Sequence, residues 1–374
     1  MLWFLAACCV PSFLLSYFGT AALRRLAPRW GLIDQPAARK VHVTPTPLGG
    51  GLAIFASFLV TVGAAQALAW LILSTDISLP GLPPELRVHL PGVLYRSQQV
   101  WAIIAAGTLL AVMGLIDDFK GLPWQPRLAV QLGIAVALVA GGVRATVFVD
   151  APWIGAIVTV GWIVVLINAF NFLDNMDALS SGIALIASVL FAAVMLTCVA
   201  EPRWLVGGAL LVLAGSLGGF LCHNRPPAKI FMGDSGSTFI GLVLATVTVL
   251  GTFYDESVAG QHVMLAPLFI LAVPLYDFTS VMIIRVSERR SPFHPDKSHF
   301  SHRLVELGLD RPYAVLTVHL ATLTTGLGAL LLYRAAGWTE ALILVAQLLC
   351  VLAIVAILET VGRRRNGTDP GSNG

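Results

Sequence analysis

The sequence predicts an all-α fold, a polytopic membrane bundle of about eleven transmembrane helices. Three observations lead there. Of the 374 residues, 57% are hydrophobic and only 11% are charged, against about 25% charged in an ordinary soluble chain. Apolar windows of the roughly 20 residues that a helix needs to cross a bilayer recur along the whole chain. The charged residues collect in the gaps, and mean hydropathy is +0.84. A net charge of +3 without a basic stripe gives no support for a nucleic-acid binder.

In chain order the windows are 2–23, 48–73, 99–116, 127–143, 151–169, 180–199, 203–222, 237–254, 262–285, 313–333 and 337–360. The first lacks a basic leader and a cleavage site, so it is expected to be retained as a span. The window at 127–143 is short, and 143–169 admits another division. Ser74–Gln98, rich in Pro and Leu, reads as a solvated or interfacial loop. The chain is expected to form one integral-membrane domain over 1–365, followed by a disordered tail, 366–374. The five cysteines lie in or beside apolar runs without a CxxC pair, as small buried hydrophobes do.

Orientation follows from Lys and Arg. Alternate gaps hold eighteen of the 23 basic residues; Arg87, Arg96, Arg144, Arg203 and Arg334 fall on the other side. The positive-inside rule places the N-terminus outside and the C-terminus in the cytoplasm, with Lys229 and Ser298 inside and Glu85 outside.

Five polar islands share the predicted inner face. Asp34–His42 offers Arg39, Lys40 and His42, as phosphate-binding cations or as a positive-inside anchor. Gly114–Leu122 carries the adjacent pair Asp117 and Asp118. Their repulsion asks for a divalent cation, a nearby lysine such as Lys120, or proton sharing. In Asn168–Gly182, the residues Asn168, Asn171, Asp174 and Asp177 recur every third position. A continuing helix would set them on one face, as oxygen ligands for Mg²⁺ or as a packed polar stripe. Asn224–Ser237, NRPPAKIFMGDSGS, sets one carboxylate among glycines that allow close approach of an anion or a metal. Ser291–Arg303 supplies His299, His302 and Arg303, with no Cys to suggest zinc. Asp277 reads as a buried structural partner about two turns before Arg285. Together these groups suit metal-assisted phosphoryl chemistry at a membrane boundary. They suit a transporter less well, since its polar residues would lie mid-span.

In DQPAARKVHVTPTPLGG, GLIDDFKGL, NAFNFLDNMDALSSG, NRPPAKIFMGDSGS and HFSHRL, from Asp34 to Arg303, the chain resembles the polyprenyl-phosphate N-acetylhexosamine-1-phosphate transferases. It is most similar to the branch using UDP-N-acetylglucosamine; phospho-MurNAc-pentapeptide transfer is the alternative within the family, and a nucleotide-sugar transporter the alternative outside it. The resemblance implies ten or eleven transmembrane helices in a bacterial inner membrane and an active site on the cytoplasmic face. It implies transfer of a sugar phosphate from a UDP-sugar to undecaprenyl phosphate with release of UMP, as the first membrane step of a cell-envelope polysaccharide. Mg²⁺ is the implied cofactor, with Mn²⁺ as a substitute, and a homodimer is left open. By position, Asn171 and Asp234 would bind the metal. Asp117, Asp118 and His299 would form the catalytic set. Phe231 would stack on uracil, with Asp174, Asp177 and Asn224 lining the pocket and Lys120, His302 and Arg303 near phosphates. The chain departs from the family where Asn175 and Ala178 follow the two aspartates, and where Ser301 interrupts the last histidine cluster.

Overall fold

The computed structural model describes residues 1–35, 44–75, 84–145, 151–251, 260–291 and 299–367. Arg39, Lys40, His42, Ser298 and the last seven residues of the expected tail lie outside the described residues. The chain forms α1 (Leu2–Leu26), a two-stranded antiparallel ribbon of β1 (Ile33–Asp34) and β2 (Thr46–Pro47), α2 (Gly50–Thr75), α3 (Pro84–Tyr95), α4 (Ser97–Lys120), α5 (Trp124–Ala140) and α6 (Pro152–Leu173). There follow α7 (Leu179–Ala193), α8 (Trp204–Asn224), α9 (Asp234–Leu250), α10 (Ala266–Ile270), α11 (Ala272–Ser287), α12 (Phe300–Glu306), α13 (Arg311–Leu332) and α14 (Trp338–Gly367).

Each of the eleven expected spans meets helix. Among the described residues, eight helices are long and apolar enough to cross a membrane, or nine if the bent pair Gln261–Ile270 and Ala272–Ser287 is one span. Two of the expected spans, α5 and α9, are shorter apolar helices of 17 residues. The window at 262–285 is broken by a 67° bend at Leu271. Pro274 explains the break: it has no N–H to give Ile270, and its ring collides with that carbonyl in a straight helix. Where a loop was expected over 74–98, α3 forms with Pro84 as its first residue, a position where the fixed proline φ favours helix. At the other end α14 runs through Gly367, two residues into the expected disordered tail.

Helix α9 is the centre of the bundle. Every residue from Ser235 to Thr248 is buried, and α2, α4, α6, α7 and α8 all pack against it. The hydroxyls of Ser237, Thr238, Thr246 and Thr248 return to backbone carbonyls three or four residues back, so the helix can be buried on every side. Its length of ~25 Å keeps its first turn near the membrane boundary. Small residues let its neighbours come close: a Cβ on Gly114 of α4 would fall on the backbone of Asp234 and Ser235, and one on Gly51 of α2 would fall on Gly236. The starts of α2 and α9 and the ends of α4, α6 and α8 therefore meet at one end of the bundle. The described residues carry Arg24, Arg25, Lys120, Arg127, Arg225 and Lys229 at that end, whereas Arg96, Arg144 and Arg203 lie at the other.

The close approach of α4 to α9 gives a test. Gly114→Val should destabilise the protein by about 1–3 kcal/mol through overpacking, read as a lower melting temperature in detergent. Gly133→Val, on an exposed face of α5 where an added Cβ would meet nothing within 4 Å, should leave it unchanged. Equal melting of the two variants would show that α4 and α9 are not in contact at this point.

Candidate active site

The loop before α9 is built by three backbone hydrogen bonds to two other segments. Phe231 N–H donates to Pro47 O (2.8 Å), Gly50 N–H to Phe231 O (2.9 Å) and Gly51 N–H to Met232 O (2.9 Å), so the loop is stitched to β2 and to the start of α2. Asn224 is buried and bonded through both ends of its amide. Its Oδ1 accepts from Ala178 N–H (2.9 Å) and Ser181 Oγ (3.3 Å), and its Nδ2 donates to Ile230 O (2.9 Å). Asp177 Oδ2 accepts from Ala228 N–H at 2.8 Å. These two side chains tie the loop to the α6–α7 turn. Phe231 stands half-buried in the same loop.

At Gly233 the chain takes φ +76°, a conformation that favours glycine. A Cβ there would also meet Asp118 Oδ2 at 2.5 Å. Asp118 reaches from α4 to accept Asp234 N–H at 3.0 Å, a carboxylate placed at the positive end of a buried helix. Its other oxygen, Oδ2, is buried without a hydrogen-bond partner.

Arg127, at the start of α5, joins the carboxylates. Its guanidinium lies 2.5 Å from Asp117 Oδ2 and 3.2 Å from Asp234 Oδ2, and donates to Asn171 Oδ1 at 2.9 Å. Asn171 in turn donates through Nδ2 to Asp234 Oδ1 (2.9 Å) and Ser237 Oγ (3.0 Å). Asp117 Oδ1 accepts Leu122 N–H at 2.5 Å, closing the turn between α4 and α5. Two like charges about 4 Å apart repel by about 4 kcal/mol at an effective dielectric near 20. Arg127, bonded to both, offsets that repulsion. One turn deeper, Asn168 Nδ2 donates to Gln131 Oε1 at 2.6 Å, locking α5 to α6 inside the bundle.

The expectation that Asn168, Asn171, Asp174 and Asp177 share one helical face holds only for the first two. Helix α6 ends at Leu173, Asp174 is its C-cap, and Asp177 lies in the turn before α7. The turn reverses through Ala178 at φ +63°, where a left-handed conformation costs an alanine about 1 kcal/mol. Its N–H on Asn224 and its carbonyl near His319 Nε2 (3.2 Å) hold it there. Asp174 accepts Gly233 N–H and faces Asp234 and Asp177. Burial first, then those two carboxylates, raise its pKa to about 8 against the pull of the Gly233 amide.

The last island docks on this turn through α12. Ser301 Oγ donates to Asn175 Oδ1 at 2.9 Å. Asp277, read from the sequence as a buried structural partner, is buried and binds His299 Nδ1 (2.9 Å) and accepts Phe300 N–H (2.9 Å). Arg285 sets its guanidinium 5.0 Å over the Phe172 ring, whose edge also meets His299. His302 lies 6.3 Å from His299, centre to centre. Arg303 is committed in part to Glu306 at 2.7 Å, and Lys120 is exposed at the end of α4. Among the described residues no three His, Cys, Asp or Glu side chains stand ready around one metal position.

The structure thus gathers Asp117, Asp118, Asn171, Asp174 and Asp234, sets Asp177 and Asn224 behind them as loop anchors, and brings His299 and His302 alongside. In the sequence Arg127 stands out only as one of the basic residues. A signal was available: Arg127 and Gln131 lie four apart, on one face of a helix whose only other polar side chain is Gln125 at its start.

Residues 100–252 match the family described as glycosyl transferase family 4. The chain is 30% identical over 345 residues to the probable undecaprenyl-phosphate N-acetylglucosaminyl 1-phosphate transferase of Bacillus subtilis, covering 90% of this chain and 87% of the relative. It is 34% identical over 333 residues to the decaprenyl-phosphate N-acetylglucosaminephosphotransferase of Mycobacterium tuberculosis, with 82% and 77% covered. To the undecaprenyl-phosphate alpha-N-acetylglucosaminyl 1-phosphate transferase of Thermotoga maritima it is 29% identical over 293 residues, with 77% and 78% covered.

The raised pKa of Asp174 predicts a pH dependence of stability. The folded protein keeps a proton that the unfolded chain releases near pH 4. The metal-free protein should therefore lose stability as pH rises from about 4 to about 8. Melting curves in EDTA should fall across that range, and Asp174→Asn should flatten the fall. Identical slopes for the two proteins would contradict it. At the neighbouring turn, Ala178→Gly should raise the melting temperature by relieving the left-handed alanine, and a lower one would mean that the turn is not strained.

Proposed function

The chain belongs to glycosyl transferase family 4, among the polyprenyl-phosphate N-acetylhexosamine-1-phosphate transferases, and from that premise we propose that it moves N-acetylglucosamine-1-phosphate from UDP-N-acetylglucosamine to undecaprenyl phosphate. The observation that carries this reading is the convergence of Asp117, Asp118, Asn171, Asp174 and Asp234 around Arg127 at one end of the bundle. The excess of basic residues at that end supports a cytoplasmic active site, where a soluble nucleotide sugar and a membrane-held phosphate can meet.

The donor set suits Mg²⁺. It is made of hard oxygens, and Asp118 Oδ2 is buried with its hydrogen-bonding capacity unused. Asp234 and Asn171 would hold the ion beside Asp118, and when bound it would offset the charge that two phosphorylated substrates bring together. The other contributions come from the chain. A lipid-phosphate oxygen attacks the β-phosphorus, the bond from that phosphorus to the bridging oxygen breaks, and UMP leaves with the electron pair. The attacking group is already an oxyanion, so the protein's task is alignment and relief of repulsion. Both Asp117 oxygens are engaged, by Arg127 and by Leu122 N–H. That favours an orienting role over proton abstraction. Arg127 is set to turn a positive face toward the phosphates. His299, fixed by Asp277, and Arg303 line the approach from α12, with Lys120 at its edge. Phe231 supplies a ring for the base, and Asp174 with Asp177 border the sugar.

Two experiments test this. Asp234→Asn and Arg127→Gln should each lower UMP release by at least about 10²-fold, the scale of losing one electrostatic contact to a developing charge, while melting shows a folded protein. Near-wild-type turnover by either folded variant would overturn its assignment. Labelled UMP should enter UDP-N-acetylglucosamine only when polyprenyl phosphate chemistry is available. Robust exchange by lipid-free protein would instead require a phosphorylated enzyme, with Asp118 or Asp234 as the acceptor.

A further inference from the structure

A second cluster of cations lies apart from the acidic site. At the same end of the bundle a cavity of about 620 Å³ opens between α1, α7 and α8. Arg24, Arg225 and Lys229 stand on its wall, and Leu185 and Leu221 form apolar lining. None of the acidic cluster lines it. His223, buried at the end of α8, organises the wall: its Nε2 donates to Tyr17 O at 3.1 Å, leaving Nδ1 to accept from Arg24 Nη1 at 3.4 Å. Lys229 is drawn in by its backbone N–H on His223 O at 2.9 Å. Among the described residues no carboxylate pairs with these three cations.

Three positive side chains around one cavity repel one another, and the ends of two helix dipoles offset that only in part. An anion would complete the arrangement. We propose that this cavity is a binding site for an anionic phospholipid, its phosphate among Arg24, Arg225 and Lys229 and an acyl chain along Leu185 and Leu221. The apolar lining decides between lipid and free anion, since inorganic phosphate has no use for it. Basic pockets between transmembrane helices hold anionic headgroups for the same reason. The loop that carries Lys229 also carries Ala228, bonded to Asp177, so a bound lipid would steady the loop that leads to Asp234.

Cys222 is exposed and lines the cavity, which provides a reporter. In a Cys350→Ser background, full-length protein would be placed in nanodiscs of phosphatidylcholine alone or with phosphatidylglycerol, and maleimide alkylation of Cys222 followed by mass spectrometry. Phosphatidylglycerol should slow alkylation at least about fivefold, and inorganic phosphate in phosphatidylcholine discs should not. Arg24→Gln/Arg225→Gln/Lys229→Gln should abolish the protection, whereas Arg289→Gln/Arg290→Gln, two exposed cations elsewhere at that end, should retain it. Should the triple variant not fold, Lys229→Gln alone should raise the phosphatidylglycerol needed for half-protection about fivefold. The proposal is overturned if phosphatidylglycerol gives the parent no protection, or if inorganic phosphate protects as well. It is equally overturned if the distant pair matters as much as the cavity cations.

Discussion

The guanidinium of Arg127 is the interaction on which the rest of the site depends. It joins α5 to α4 through Asp117, to α6 through Asn171 and to α9 through Asp234. Remove that charge and carboxylates from two helices confront each other in a half-buried space where water screens poorly. Asp118 adds a second constraint by accepting the first amide of α9. The acidic groups are therefore structural parts of the helix junction as well as candidates for chemistry. A site built this way holds its geometry before any substrate arrives, which is what electrostatic catalysis requires.

The fold was legible in the sequence wherever a span depends on apolar length alone. It was less legible where a local device interrupts the pattern. Pro274 breaks the ninth window, and α3 forms in a segment whose polarity pointed to a loop. The core role of α9 was visible only as one apolar run among eleven, because nothing local says which apolar helix the others will surround. At the site, residue types and spacing brought Asp117, Asp118, Asn171, Asp174 and Asp234 forward together, and the structure gathers them at one end of the bundle. What spacing could not supply was the partner of each group. A period of three was read as a helix at 168–177, where the chain in fact turns after Leu173. Arg127 and the pairing of Asp277 with His299 depend on contacts 22 or more residues apart, beyond the reach of local pattern.

Two departures from the family pattern acquire a physical meaning. Asn175 and Ser301 are hydrogen-bonded to each other, so the change in the third motif and the change in the last one are parts of one contact between the α6–α7 turn and α12. Ala178 occupies a left-handed position, and its strain is balanced by Asn224 and His319. Neither departure touches the groups bonded to Arg127.

The central claim is that a sugar phosphate, rather than a sugar, is what moves. Purified protein with undecaprenyl phosphate, Mg²⁺ and UDP-N-acetylglucosamine distinguishes the two by the masses of both products. The account predicts a lipid carrying two phosphates and one N-acetylhexosamine, formed in step with an equal amount of UMP. A lipid carrying one phosphate and the sugar, with UDP released, would contradict it.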